Sequence, residues 1–275
     1  MENYTKYSVL MSLYVKEKAD YLKLAVDSML NQTILPEEIV IVEDGPLTEE
    51  LYEIVDRYVD RHPQLFTIVK NEKNIGLGLA LNEGLKVCRN ELVARMDTDD
   101  IAKSDRCEKQ LKVFESQPEL SIVGSYVDEF FDNPEQVVST RVVPQTQEEI
   151  YQFAKKRSAF NHPAVMYRRS KVLEFGGYSD LRRNQDVDLF GRMLYGGCIA
   201  HNIGESLLYF RSNNDLAKRR KSWENTKSYI DTIKNLWKMG YSGFGDYAVV
   251  AVAQTVMFLL PVKIQHWVYK VFLRK

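Results

Sequence analysis

The chain has 275 residues, 45% hydrophobic and 27% charged, with a net charge of −1. That is ordinary globular composition, long enough for one large α/β domain or two small ones, and it lacks the basic excess of a general nucleic-acid binder. The three scattered cysteines, Cys88, Cys107 and Cys198, form no Cys-x-x-Cys pair, which argues against a disulfide framework or a zinc site and suits a reducing compartment.

Residues 7–14 (YSVLMSLY) read as a buried strand, and Lys18 to Asn31 as a helix with Tyr21, Leu24, Ala25, Ser28 and Met29 at helical spacing. Ile39 to Val42 is a second strand, Leu51 to Tyr58 a helix, Phe66 to Val69 a third strand and Gly78 to Val87 a helix. Leu92 to Met96 is a fourth strand, followed by a helix from Asp105 to Phe114. Alternation of this kind predicts a mostly parallel sheet flanked by helices. The second half is less regular. It holds strands at Ser121 to Val127, Thr140 to Val143 and Ser206 to Arg211, and helices at Gln147 to Ala154 and Gln185 to Tyr195. These continue the same domain, 1–215, leaving 216–275 as a C-terminal helical extension.

That extension contains the apolar run Tyr247 to Val262, interrupted by Gln254, Thr255 and Pro261. It falls short of the about 20 apolar residues that a spanning helix needs. Lys263, Trp267, Tyr269, Lys270, Phe272, Arg274 and Lys275 follow it. Basic and aromatic residues beside an apolar helix suit a bilayer interface, so the extension is expected to lie on a membrane surface. The alternative is a terminal helix packed on the core or on a partner subunit. The N-terminus shows no secretory signal, and the expected location is cytoplasmic, peripheral on the inner face of the cell membrane.

Open parallel sheets bind ligands beyond the carboxyl ends of their strands. Two acidic clusters fall there: Glu43-Asp44, and Asp97, Asp99 and Asp100. Crowded carboxylates raise one another's pKa and need a cation to offset them. Mg2+ and Mn2+ favour oxygen ligands of this kind and often bring a phosphorylated ligand with them. There is no P-loop and no dinucleotide Gly-x-Gly-x-x-Gly after the first strand, and Asp-x-Asp stands at the fourth strand, not the first. Asp100 reads as a structural residue, a cap or a loop contact.

Six stretches, in order, resemble the family 2 glycosyltransferases with the GT-A fold: "SVLMSLY" at 8–14, "NQTILPEEIVIVEDG" at 31–45, "NEKNIGLGLALNEGL" at 71–85, "ARMDTDD" at 94–100, "NHPAVMYRRS" at 161–170 and "GGYSDLRRNQDVDLF" at 176–190. The stretch around "VEDGPLTEEL" further resembles exopolysaccharide and capsule galactosyltransferases of the amylovoran-biosynthesis type. The resemblance implies that Tyr14 and Asp44 line the pocket for the nucleotide base and ribose, and that 71–85, including Asn74, closes its other side. It implies that Asp99 holds Mn2+ or Mg2+ bridging a diphosphate, and that Asp97 contacts ribose or metal-bound water. Many relatives have Ala-Arg-Asn where this chain has Ala80-Leu81-Asn82, so one basic residue is missing.

Inverting sugar transfer needs one general base for the acceptor hydroxyl. Relatives often carry Glu-Asp where this chain has Gln185-Asp186. Asp186 shares a helix face with Leu189 and Phe190, which directs it to the core side. Asp188 lies about 200° away and reads as a solvated first-turn acid. His162, beside Pro163, reads as a positioned loop residue before it reads as a rival base. Lys218 to Lys221 fits a phosphate-pairing lid, a lipid contact or a solvated helix start equally well.

The expected activity is metal-dependent, inverting transfer of a hexose, galactose or glucose, from a UDP-sugar to a hydroxyl of a polyprenyl-diphosphate-linked glycan. That places the chain in exopolysaccharide, capsule or O-antigen biosynthesis. Two alternatives stay open. One is a sugar nucleotidyltransferase, although residues 12–20 lack its Gly-rich basic loop. The other is an inactive scaffold subunit of a polysaccharide-assembly complex, given Gln185 and Leu81.

Overall fold

A computed structural model of the chain describes residues 5–212 and 222–260. Four strands build the first half: β1 (Tyr7–Leu13), β2 (Glu38–Glu43), β3 (Phe66–Lys70) and β4 (Leu92–Met96). They are all parallel, in the order β3-β2-β1-β4. β1, β2 and β4 are apolar runs without polar alternation because helices cover both of their faces.

The period-2 alternation of strand side chains divides the core in two. Val9, Met11, Ile39 and Ile41 face α1 (Ala19–Leu30), α2 (Glu49–Arg61) and α4 (Arg106–Ser116). Leu10, Val40, Val42 and Val93 face α3 (Leu77–Val87), α5 (Gln147–Ala154) and α7 (Gln185–Tyr195). Each fully buried leucine or phenylalanine contributes about 1.5–3 kcal/mol. A short helix, α6 (Arg169–Glu174), precedes α7.

The second half extends the same sheet with mixed polarity. β8 (Met166–Arg168) runs antiparallel to β4 and joins it to β6 (Leu120–Phe130). β9 (Ile199–Arg211) runs parallel to β6 with bulged register. β5 (Ile101–Ala102) and β7 (Ser139–Arg141) add short antiparallel pairings to β9 and β6. The unbroken run of parallel neighbours therefore ends at β4, and the strand expected at Ser206 to Arg211 begins seven residues earlier, at Ile199.

α8 (Trp223–Met239) packs on α7, where Leu236 covers Gly191 so closely that a Cβ there would lie 2.6 Å from Leu236 Cδ2. α9 (Phe244–Leu259) packs on α8, with Tyr247 stacked on Trp237. No helix among the described residues is long and apolar enough to cross a membrane. The expected 215/216 division, Lys218 to Lys221 and the basic, aromatic segment 261–275 lie outside the described residues.

Chain order reverses beside β1: β2 and β3 lie on one side of it and β4 on the other. A ligand crevice opens at such a reversal, beyond the carboxyl ends of the strands. Tyr14, Asp44 and Asp97 directly follow the three strands that end there.

Candidate active site

β4 carries one charged residue, Arg95, among apolar neighbours, and it is only 2% exposed. Its guanidinium pairs with the Asp97 carboxylate, and its Nε and Nη1 are buried without partners. Past Met96 the chain turns through Asp97, Thr98, Asp99 and Asp100, and carboxylate oxygens of the three acids lie within 4.8 Å of one another. Asp100 is buried and accepts the Arg211 backbone N–H at 2.8 Å, while its other oxygen has no partner. Arg211 Nε donates to the Asp99 carbonyl at 2.9 Å, and its guanidinium stacks on Tyr21 and Phe130. The end of β9 thus clamps the acidic turn. From the β1–α1 connection, Glu17 Oε2 accepts the Thr98 hydroxyl at 2.7 Å.

Four acids, Glu17, Asp97, Asp99 and Asp100, therefore converge with two cations, Arg95 and Arg211, leaving an excess of two negative charges when all are ionised. Burial, then the charges of Asp97 and Glu17, push Asp99 up to about 7. Burial, then Asp99 and Asp97, hold Asp100 well above the usual carboxylate range. A bare cluster of this kind retains protons that a divalent cation displaces. An all-oxygen donor set of this net charge fits Mg2+ or Mn2+.

Asp44 is buried, and three groups occupy its carboxylate. Oδ1 accepts from Ile75 N–H at 2.8 Å and Asn71 Nδ2 at 3.1 Å, and Oδ2 from Gly76 N–H at 3.0 Å. Asn74 Nδ2 donates to the Asp44 carbonyl at 3.2 Å. The 71–76 loop is therefore tied to the end of β2. Gly45 permits that approach: its φ is +88°, and a Cβ there would meet Asn74 N at 2.6 Å. Tyr14, Asp44 and Asn74 come to one rim of the crevice, with Tyr14 and Asn74 exposed and the Asp44 carboxylate facing into the loop.

Asp186 arrives from the opposite side, in the first turn of α7, and is half-buried. Burial raises its carboxyl above the ordinary value; the backbone N–H groups of Val187 and Asp186 oppose the shift, then Arg95, and Asp97 adds to it. Asp186 is thus within electrostatic reach of Arg95 and Asp97. Gln185 is buried with its Oε1 unpartnered. Asp188 departs from expectation. It is buried, and it accepts from the Ser179 hydroxyl and pairs with Arg192 at 2.8 Å. Arg192 also donates to the carbonyls of Phe175 and Gly177. The 175–179 turn folds over this side of the helix, which a helical wheel cannot show.

Asn82, beside the missing basic residue, exchanges hydrogen bonds of 2.8 Å with the backbone of Tyr178 in both directions. Leu81 is core. The sequence reading passed over Arg95, Glu17 and Arg211. An arginine inside an apolar strand is a visible signal; the other two carry none.

The description "Glycosyl transferase family 2" matches residues 8–180. The chain is 35% identical to the amylovoran biosynthesis glycosyltransferase AmsE of Erwinia amylovora, across 96% of this chain and 98% of that protein. It belongs to the family 2 glycosyltransferases.

This glycosyltransferase is also 33% identical to the UDP-Gal:alpha-D-GlcNAc-diphosphoundecaprenol beta-1,3-galactosyltransferase of Escherichia coli, across 98% of this chain and 97% of that one. Among solved structures it resembles the mannosyltransferase PcManGT of Pyrobaculum calidifontis, in complex with GDP-Man and Mn2+. The TM-score is 0.65 at 15% identity, over 97% of this chain and 79% of that one. It also resembles Staphylococcus aureus TarS 1–349 with UDP-GlcNAc, at a TM-score of 0.61 and 15% identity, over 95% of this chain and 84% of that one. The fold is GT-A, with the mixed sheet described above.

Proposed function

We propose that this glycosyltransferase moves a hexose, galactose or glucose, from a UDP-sugar to a hydroxyl of a polyprenyl-diphosphate-linked glycan, with inversion, in exopolysaccharide, capsule or O-antigen assembly. The observation that carries this reading is the gathering of Asp97, Asp99 and Asp100 at the carboxyl end of β4, with the charges of Arg95 and Asp97 felt by the raised Asp186. Asp97 and Asp99 hold Mg2+ or Mn2+, which when bound stabilises charge on the leaving diphosphate. Tyr14, Asp44, Asn74 and Asp97 form the nucleotide site. Asp44 acts there by fixing the 71–76 loop against which the base and ribose sit. Asp186 takes the proton of the acceptor hydroxyl as that oxygen attacks the anomeric carbon and the bond to the diphosphate breaks. Residues 1–215 form the transferase unit and 216–275 the extension.

The acceptor class draws support from the two relatives whose names specify amylovoran biosynthesis and a diphosphoundecaprenol substrate. α9 adds support for a peripheral place on the inner face of the cell membrane. Val249, Val252, Val256 and Leu259 share one face and are 49–72% exposed. In sequence they lead into the basic and aromatic tail.

The test is a donor screen with purified enzyme, Mn2+ or Mg2+, and α-GlcNAc-diphosphate on a long alkyl chain. UDP release and glycan extension with UDP-galactose or UDP-glucose are expected. Pyrophosphate release from a nucleoside triphosphate plus sugar phosphate would support a nucleotidyltransferase instead. No turnover of any nucleotide-sugar would leave the scaffold reading.

A further inference from the structure

His162 opens a single 3-10 turn, His162–Ala164, with Pro163 behind it. Its ring packs against α7, the helix whose first turn carries Asp186. It packs on Phe190, with ring centroids 6.0 Å apart. Phe190 stands one turn beyond Asp186 on the same face of α7. On its other side the ring packs on Tyr178, whose hydroxyl lies 2.8 Å from Nε2. Nδ1 has no hydrogen-bond partner among the described residues.

Burial, then the charge of Arg95, hold the imidazole well below its ordinary pKa, so the ring is neutral. Burial raises the Tyr178 hydroxyl, which stays protonated. The 2.8 Å contact admits either direction; with the Tyr178 phenol as donor to Nε2, the neutral ring carries its own proton on Nδ1. In that tautomer Nδ1 is an uncharged N–H donor on a ring that packs against α7. A group that must bind phosphate in this setting gains from a positive charge. One that reads a hydroxyl needs only a fixed, neutral donor.

We infer that His162, held by Tyr178, donates a hydrogen bond from Nδ1 to a hydroxyl of a bound sugar and so orients substrate beside Asp186. This rests on the sugar transfer proposed above. The hydroxyl belongs either to the donor hexose or to the acceptor glycan.

Two substitutions separate this role from a structural one. His162→Asn keeps a polar group where Nδ1 stands, and His162→Gln keeps one where Nε2 stands. Transfer is measured with UDP-galactose and α-GlcNAc-diphosphate on a long alkyl chain, with rates scaled to the folded fraction by circular dichroism. His162→Asn is expected within about threefold of wild-type kcat/KM, and His162→Gln down by about tenfold or more. Any other ranking overturns the inference, because a structural role through Tyr178 favours Gln. UDP-galactose hydrolysis without glycan locates the hydroxyl: a parallel loss places it on the donor, and unchanged hydrolysis with a raised acceptor KM places it on the acceptor. A wild-type enzyme that neither transfers nor hydrolyses sugar defeats the underlying reading and this inference with it. An active wild type with the reverse ranking defeats only the role of His162.

Discussion

Asp186 must be ionised to accept a proton, and its half-buried position decides when that happens. Its raised pKa places the acidic limb of kcat/KM above the pKa of a free aspartate, so activity falls as the pH drops through that raised value. Asp186→Asn is expected to lower kcat by about 10²–10⁴-fold, with UDP-sugar affinity by calorimetry changed only a few-fold. An unchanged transfer rate would remove Asp186 from the mechanism. Asp99 gives a second pH signature. Raised to about 7, it binds its proton more tightly when folded than unfolded. Without cation, its ionisation therefore costs stability as the pH rises from about 4 toward that value. Mn2+ offsets the cost, so the rise in melting temperature with Mn2+ is expected to be larger at about pH 8 than at about pH 5. Equal shifts at both pH values would place the cation elsewhere.

Three of the bonds that hold the loop 71–76 end on the Asp44 carboxylate. Asp44→Ala removes the acceptor for Ile75 and Gly76 N–H together. The expected result is a donor KM raised by about tenfold or more, a smaller change in kcat, and faster amide exchange confined to the loop. Unaltered exchange would mean that other contacts hold it. The Asp188–Arg192 pair is mostly buried, and Asp188→Ala leaves Arg192 uncompensated under the 175–179 turn. A loss of about 2–4 kcal/mol is expected in urea titration; a loss below about 0.5 kcal/mol would make the pair incidental. These elements also mark what the sequence discloses. β1 to β4 and α7 were legible because long apolar runs and helical periodicity leave strong local patterns, and Asp97, Asp99 and Asp186 were legible as acids at their ends. Asp188 was misplaced because its partners Ser179 and Arg192 become neighbours only when the turn folds back. β5 is two residues long and exists because β9 lies beside it, so no local pattern encodes it.

At the scale of the molecule, α9 presents apolar side chains that are exposed among the described residues. Val252→Glu with Leu259→Glu is expected to abolish sedimentation with anionic phospholipid vesicles while preserving turnover of a short-chain acceptor in solution. Retained sedimentation would assign that face to another contact. The acid cluster is also completed from a distance: Asp100 and Asp99 are bonded by Arg211, 111 and 112 residues further on. A ribosome delivers the acids long before it delivers their clamp. Until then an emerging chain carries closely spaced carboxylates that nothing gathers, and the distant closure slows their assembly. The acidic turn is therefore clamped only after β9 has been made.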